Sequence, residues 1–158
     1  MRITKDQLGR VGEVLAHFLE QHKNSGKATV LTLAGDLGAG KTTFVQHVAA
    51  AFGVEESVVS PTFIIVRAHQ TKKGGFSRMI HIDAYRLENK EELSPLKLEA
   101  VFNDKDALVC IEWPEKLFGT VPEGAIEVTL ATIGEEVREL TTKNKELEDY
   151  LQLELEVV

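Results

Sequence analysis

The chain has 158 residues, 43% of them apolar, and a formal net charge of −7. That length suits one domain with a real core rather than two, and the acid excess, with no cluster of Lys and Arg, excludes the basic face by which nucleic-acid binders displace phosphate counterions. The charge is uneven: residues 135–158 carry eight acids and three bases, a net of −5, which leaves −2 for the first 134. No apolar run approaches the roughly 18 to 20 residues of a membrane span, and the N-terminal residues lack a signal peptide's apolar stretch, so a cytoplasmic location without membrane contact is expected. Cys110 is the only cysteine and lies in an apolar run. An intrachain disulfide is impossible, a cysteine zinc site and a disulfide-linked partner are not expected, and a buried inert thiol is.

Thr4 followed by Gln7 fits a capping box, and Leu8, Val11, Leu15, Phe18 and Leu19 recur at helical spacing through about His22. Ala28 to Ala34 is short, apolar and partly β-branched, the pattern of a buried strand. Helical spacing returns from Lys41 to Phe52, with Phe44, Val48 and Phe52 on one face and Gly53 as the stop. Phe63 to His69 and Arg78 to Tyr85 read as strands of a hairpin around Gly74-Gly75, and Lys90 to Phe102 as a helix. Ala107 to Ile111 is a further buried strand, and Ile126, Val128 and Leu130 alternate with polar residues as in a half-exposed one. Residues 134–158 allow two readings, a final strand over Val137 to Thr142 or an acidic helix throughout. The fold class expected is α/β, a single-domain P-loop NTPase fold with a mixed central sheet flanked by helices.

Gly35-Asp36-Leu37-Gly38-Ala39-Gly40-Lys41-Thr42 matches G-x-x-x-x-G-K-[ST] between a predicted strand and a predicted helix, the context the motif requires. Its glycines let successive N–H groups face inward, and the helix N-terminus adds partial positive charge where phosphates would lie. The backbone from Asp36 through Leu37, Gly38, Ala39 and Gly40 is the expected cradle, with Lys41 reaching the β and γ oxygens, the Thr42 hydroxyl at the Mg²⁺ position and Thr43 at the α-phosphate. Asn89-Lys90-Glu91-Glu92 and Asn144-Lys145-Glu146-Leu147 lack the aspartate of the guanine-reading N-K-x-D motif, so ATP is favoured over GTP.

Such a site needs a carboxylate at a strand exit, opposite the phosphates, to organise Mg²⁺ or the attacking water. Asp83 and Glu112 both stand there, against the alternative of ordinary loop acids or helix caps. Thr62, in Ser60-Pro61-Thr62-Phe63, sits where switch loops present a hydroxyl, and Trp113 follows Glu112 at a place from which it can pack beside a nucleotide. His69 and His81 have no partner histidine at metal-ligand spacing and read as structural.

The phosphate loop through Thr43, then Ser60-Pro61-Thr62-Phe63, His81-Ile82-Asp83-Ala84-Tyr85-Arg86-Leu87 and Ile111-Glu112-Trp113-Pro114-Glu115, in that order, resemble the motifs of the TsaE (YjeE) family. The likeness runs from about residue 4 to residue 142. Members are small bacterial P-loop ATPases that help make the threonylcarbamoyl modification on adenosine next to the anticodon of certain tRNAs. The resemblance implies Thr42 and Glu112 as magnesium positions, Thr62 as a switch-loop residue, Asp83 as required for activity, Trp113 near the nucleotide and Arg138 within reach of base or phosphates. It also implies TsaB and TsaD as partners, with tRNA met only through them. On this reading residues 1–143 form the P-loop ATPase domain and 144–158 an acidic extension of it, either a solvated terminal helix or a docking segment. Leu93 to Val101 lacks the Leu-Gly step expected in the family, which leaves the local helix geometry open. Two other functions remain at this stage: a small-molecule kinase, for which Arg86 beside Asp83 is the one sign, and a nucleotide sensor without chemistry.

Overall fold

The computed structural model describes residues 1–156. Its elements run β1 (Arg2–Thr4), α1 (Leu8–Gln21), β2 (Thr29–Ala34), α2 (Lys41–Ala51), β3 (Val66–Gln70), β4 (Arg78–Asp83), α3 (Leu98–Phe102), β5 (Ala107–Glu112), β6 (Ile126–Thr132), β7 (Val137–Thr141) and α4 (Lys145–Glu156). The strands form one sheet in the order β1-β7-β6-β2-β5-β4-β3. Its centre, β6-β2-β5-β4, is parallel, and antiparallel pairs extend it at both margins, so the sheet is mixed as expected.

Alternation along the parallel strands explains the two cores. Leu31 and Leu33 of β2, Leu108 and Cys110 of β5 and Met79 of β4 pack on the face covered by α1, α2 and α4. Val30, Val109, Ile111, Ile80 and Ile82 turn to the other face, under α3 and the 3-10 turns that flank it. Every residue of β5 is buried; a strand covered on both sides reads as an apolar run, here Ala107 to Ile111 before Glu112 ends it, and its Leu, Val and Ile side chains each contribute roughly 1.5–3 kcal/mol on leaving water. The same alternation places Glu112, Asp83 and His81 on the α2 face, with Asp83 and Glu112 directly paired across β4 and β5. The chain leaves β2 toward the β4 side and leaves β5 toward the β6 side, so the exit of β2 lies where the winding direction reverses, the place at which α/β sheets bind ligands.

Several expectations change. A three-residue strand, β1, precedes the first helix and pairs with β7; only Ile3 of it is buried, too little to leave a period in the sequence. The hairpin forms, but Phe63 to Ile65 is a turn rather than strand: the Ile65 amide donates to the Pro61 carbonyl, Ile65 adopts φ +67°, and Phe63 stands 86% exposed. The first hairpin strand therefore starts at Val66, and its partner stops at Asp83 rather than Tyr85. Lys90 to Phe102 is not one helix. A 3-10 segment, Lys90–Leu96, is separated from α3 by Lys97 in the left-handed conformation at φ +50°. Lys97 lies within Leu93 to Val101, the segment whose geometry was open, and a side chain in that conformation is strained by contact with the following carbonyl. Lys97→Gly relieves this at an exposed site with no packing to lose, and a gain of about 1 kcal/mol in chemical denaturation is expected.

Of the two readings for the C-terminal segment, the structure takes the strand first, as β7, and then adds a helix. Asn144 caps α4 by accepting the Leu147 amide at 3.0 Å. The helix is not simply solvated: Leu147 and Leu151 are buried in the core of the α1 face, and Tyr150 lies against Phe18. His22, stacked on Phe18, bonds Glu146 at 2.9 Å and so ties α1 to α4. The bond to Glu146 raises the His22 pKa, partial burial opposes that, and the Phe18 carbonyl adds to it. A raised histidine pKa gives stability that is fully present below the ordinary value of 6.5 and is lost as pH climbs through the higher folded value. The melting-temperature gap between wild type and Glu146→Gln is therefore expected to be widest below pH 6.5 and to close above it, as thermal unfolding across pH will show.

Candidate nucleotide site

The turn between β2 and α2 is built from three glycines with positive φ: Gly35 at +138°, Gly38 at +79° and Gly40 at +104°. At Gly35 the need is doubled, since a Cβ there would meet the Leu130 carbonyl oxygen at 2.1 Å. Lys41 opens α2 and is only 5% exposed; its ammonium donates to the carbonyls of Gly35 at 2.6 Å and Asp36 at 2.8 Å and lies 4.0 Å from the centre of the Trp113 ring. Burial pulls its pKa down, against the fields of Glu112 and Asp83, which raise it. A desolvated ammonium whose bonds go to neutral carbonyls and a ring face is a cation prepared for a polyanion.

Across the cleft, Thr42 Oγ1 lies 2.9 Å from each oxygen of Glu112, which is buried and also holds His81 Nε2 at 2.8 Å. A separation of 2.9 Å suits two oxygens that are neighbours in an octahedron with bonds of about 2.0–2.1 Å, the magnesium geometry. Among the described residues no three His, Cys, Asp or Glu side chains cluster as a metal cage. The donor set on hand, one hydroxyl and one carboxylate, is that of a cation completed by phosphate and water.

Asp83 does different work. Ser60 Oγ donates to its Oδ2, Thr62 Oγ1 lies 3.1 Å from the same oxygen, and the Tyr85 amide donates to Oδ1 at 3.0 Å. The carboxylate thus pins the loop between α2 and β3. Further back, that loop is held by Gln46, which donates to the Val58 carbonyl, and by His69, which bonds Glu56 at 2.7 Å. Removing the acceptor leaves the Tyr85 amide without its bond and Ser60 and Thr62 with only each other: Asp83→Ala is expected to cost about 1–3 kcal/mol in chemical denaturation and to speed amide exchange over residues 60–65.

These groups line a cleft of about 340 Å³ with Leu37, Gly38, Gly40 and Thr43 on the loop side and Trp113 and Tyr85 on the other. A roomier hollow of about 490 Å³ between β6 and the turn at Pro114 is walled by threonines, Glu127 and Glu115 and gathers no comparable set. Of the residues singled out in the sequence, Leu37, Gly38, Gly40, Lys41, Thr42, Thr43, Thr62, Asp83, Glu112 and Trp113 meet here. Asp36 lends its carbonyl to Lys41, and Ala39 is fully buried behind the loop. Arg138 is not on the cleft wall. Its Nε donates to the Ala39 carbonyl at 3.1 Å and its NH1 to carbonyls of Gly134, Glu135 and Val137, so it braces the loop from behind. Arg86, the one sign of a kinase, lies over the exposed Phe63 ring at 4.9 Å and is also off the wall.

Ser60, Tyr85 and His81 were undervalued in the sequence. Ser60 and Thr62 are two hydroxyls spaced by one proline, and His81 and Asp83 are two residues apart on one strand, hence on one face; both spacings were readable. Tyr85 packs on Trp113 at 5.0 Å between ring centres, which needed the fold to see.

The family model described as threonylcarbamoyl adenosine biosynthesis protein TsaE matches residues 4–140. The chain belongs to the TsaE family. Relatives named tRNA threonylcarbamoyladenosine biosynthesis protein TsaE include one from Treponema pallidum, 30% identical over 132 residues, or 84% of this chain and 90% of its own. The Haemophilus influenzae relative is 37% identical over 122 residues, covering 77% of this chain and 73% of its own. With the Mycobacterium tuberculosis relative the likeness is 36% over 110 residues, 66% of this chain, and spans only 64% of that protein's length. The crystal structure of Bacillus subtilis YdiB aligns over 97% of this chain and 93% of its own with a TM-score of 0.71 at 24% identity, a likeness of fold.

Proposed function

We propose that the protein is a Mg²⁺-dependent ATPase that serves threonylcarbamoyl modification of tRNA adenosine, acting in the cytosol with TsaB- and TsaD-like partners and meeting tRNA through them. Membership of the TsaE family, whose relatives carry that pathway in their names, supports the process. The observation that carries the chemistry is the contact of Thr42 with Glu112 beside the buried ammonium of Lys41. Residues 1–143 are taken as the ATPase domain and 144–158 as its extension.

Lys41, whose ammonium is already desolvated, and the N–H groups of the loop bind the β and γ phosphates. Thr42 and Glu112 would hold a magnesium ion, which when bound supplies charge neutralisation of the phosphates. Asp83 keeps Thr62 and Ser60 over the γ position, where a hydroxyl orients water for in-line attack. Trp113, already against Lys41, closes one wall. The tie of Asp83 to the whole loop couples the phosphate's presence to the exposed Phe63 and Ile64 that the same loop displays.

ATP hydrolysis by the purified protein, alone and with a TsaB–TsaD pair, tests this. Stimulation by the pair is expected, with Lys41→Ala and Glu112→Ala each lowering turnover about 10²-fold or more. Unstimulated turnover that neither substitution changes would overturn the reading.

A further inference from the structure

His81 shares its face of the sheet with Asp83 and, one strand over, Glu112, because side chains two apart on β4 point the same way. It is fully buried, and its Nε2 lies 2.8 Å from Glu112 Oε1. The other ring nitrogen, Nδ1, has no hydrogen-bond partner among the described residues. A carboxylate accepts, so Nε2–H donates in the shared bond, and Nδ1 is left without a partner inside the core. Of the two polar atoms this ring brings into an apolar interior, only one is used, and it is used on Glu112. A residue serving packing alone has no reason to carry either.

We propose that His81 is a positioning residue for the divalent-cation site, its Nε2–H fixing the Glu112 carboxylate in the orientation that faces Thr42 and the phosphate loop. The inference rests on the reading of Thr42 and Glu112 as the protein's ligands to the cation. Thr42 cannot serve as the independent anchor. It is itself one of the two candidate ligands, so its contact with Glu112 changes with whatever the site holds. His81 has no second duty, and it comes from a strand in parallel register with β5, His81 opposite Cys110, whose pairing does not involve the loop. Orientation of a ligating carboxylate by a hydrogen bond from outside the ligand set is what tunes a metal site.

The test is Mn²⁺ binding to the full-length protein with ADP, read by electron paramagnetic resonance, beside ADP affinity measured in EDTA. In His81→Gln the side-chain amide nitrogen falls near the place of Nε2, whereas in His81→Asn it falls near Nδ1 and does not reach Glu112; both place one amide in the core, and the methylene that Asn lacks is controlled for by His81→Phe, which fills the ring's volume. His81→Asn is expected to raise the half-saturating Mn²⁺ about tenfold, and His81→Gln to stay within about twofold of wild type, with ADP affinity in EDTA unchanged in both. His81→Phe, which keeps the ring volume without a donor, is expected to follow the Asn variant. Equal Mn²⁺ affinities for the Gln and Asn variants would overturn the proposal, as would a loss of ADP affinity in EDTA that matches the loss of Mn²⁺. Wild-type protein that binds no Mn²⁺ beyond what ADP binds alone would instead overturn the Thr42–Glu112 reading, and this one with it.

Discussion

Glu112 is an acid at the end of a strand that is otherwise wholly apolar, and much of the site is arranged around keeping its charge buried. An isolated carboxylate in such a place is prohibitively costly, so it must be met by donors from its neighbours. Thr42 arrives from the phosphate loop's helix and His81 from the adjacent strand, and Lys41 adds its field from above. Thr42 and Lys41 are fixed by α2 and His81 by β4, which means the carboxylate at the end of β5 is satisfied only when all three elements are in place. Folding of the sheet and assembly of the site are therefore one event.

A second carboxylate, one strand over, is used in the opposite way. Asp83 points its oxygens at a loop rather than at a helix, and the bonds it accepts from Ser60, Thr62 and Tyr85 join those of Gln46, His69 and the Ile64 and Ile65 amides in ordering the stretch before β3. Two side chains with positive φ flank this region: Ile65 at the end of the turn and Trp113 just after Glu112. Such conformations cost of order 1–3 kcal/mol each and persist when the surroundings over-determine them. Here what holds them is specific: Ile65 by its amide's bond to Pro61, Trp113 by its bond to the Leu33 carbonyl and its contact with Lys41. The loop thus joins a rigid anchor to a display of apolar side chains, and a change at the anchor has a short path to the surface.

The parts legible in the sequence were those with a strong period or a fixed spacing. β2, α2 and β5 follow from unbroken or helical apolar patterns, and the phosphate loop from glycines whose φ no other residue tolerates well. What escaped was set by geometry at longer range. Phe63 and Ile64 carry strand-like side chains, yet the bond from Ile65 back to Pro61 folds them into a turn, and propensity gives no warning of that. The geometry over Leu93 to Val101 was open, but the position of the break at Lys97 hides because a lysine is an ordinary helix residue. Arg138 looked like a ligand group from its place near the last strand, but the return of β7 beside β6 aims it at the back of the loop. The buried face of α4 rests on Leu147 and Leu151, two leucines in an acidic segment whose charge masked them.

Cys110 sits midway along β5, wholly buried between the helix layer and the parallel strands, and burial with the nearby Glu112 charge pushes its thiol up to about 12. A thiol so placed is neither nucleophile nor redox sensor at neutral pH. It is, however, a clock. A labelling reagent reaches it only when the sheet itself parts, so the rate of labelling measures how often the centre of the molecule opens. Because Glu112 lies two residues along the same strand, anything that binds at the strand's end and stabilises the closed form slows that clock in proportion to its occupancy. The one cysteine of the chain thereby offers a reading of ligand binding that requires neither turnover nor a partner.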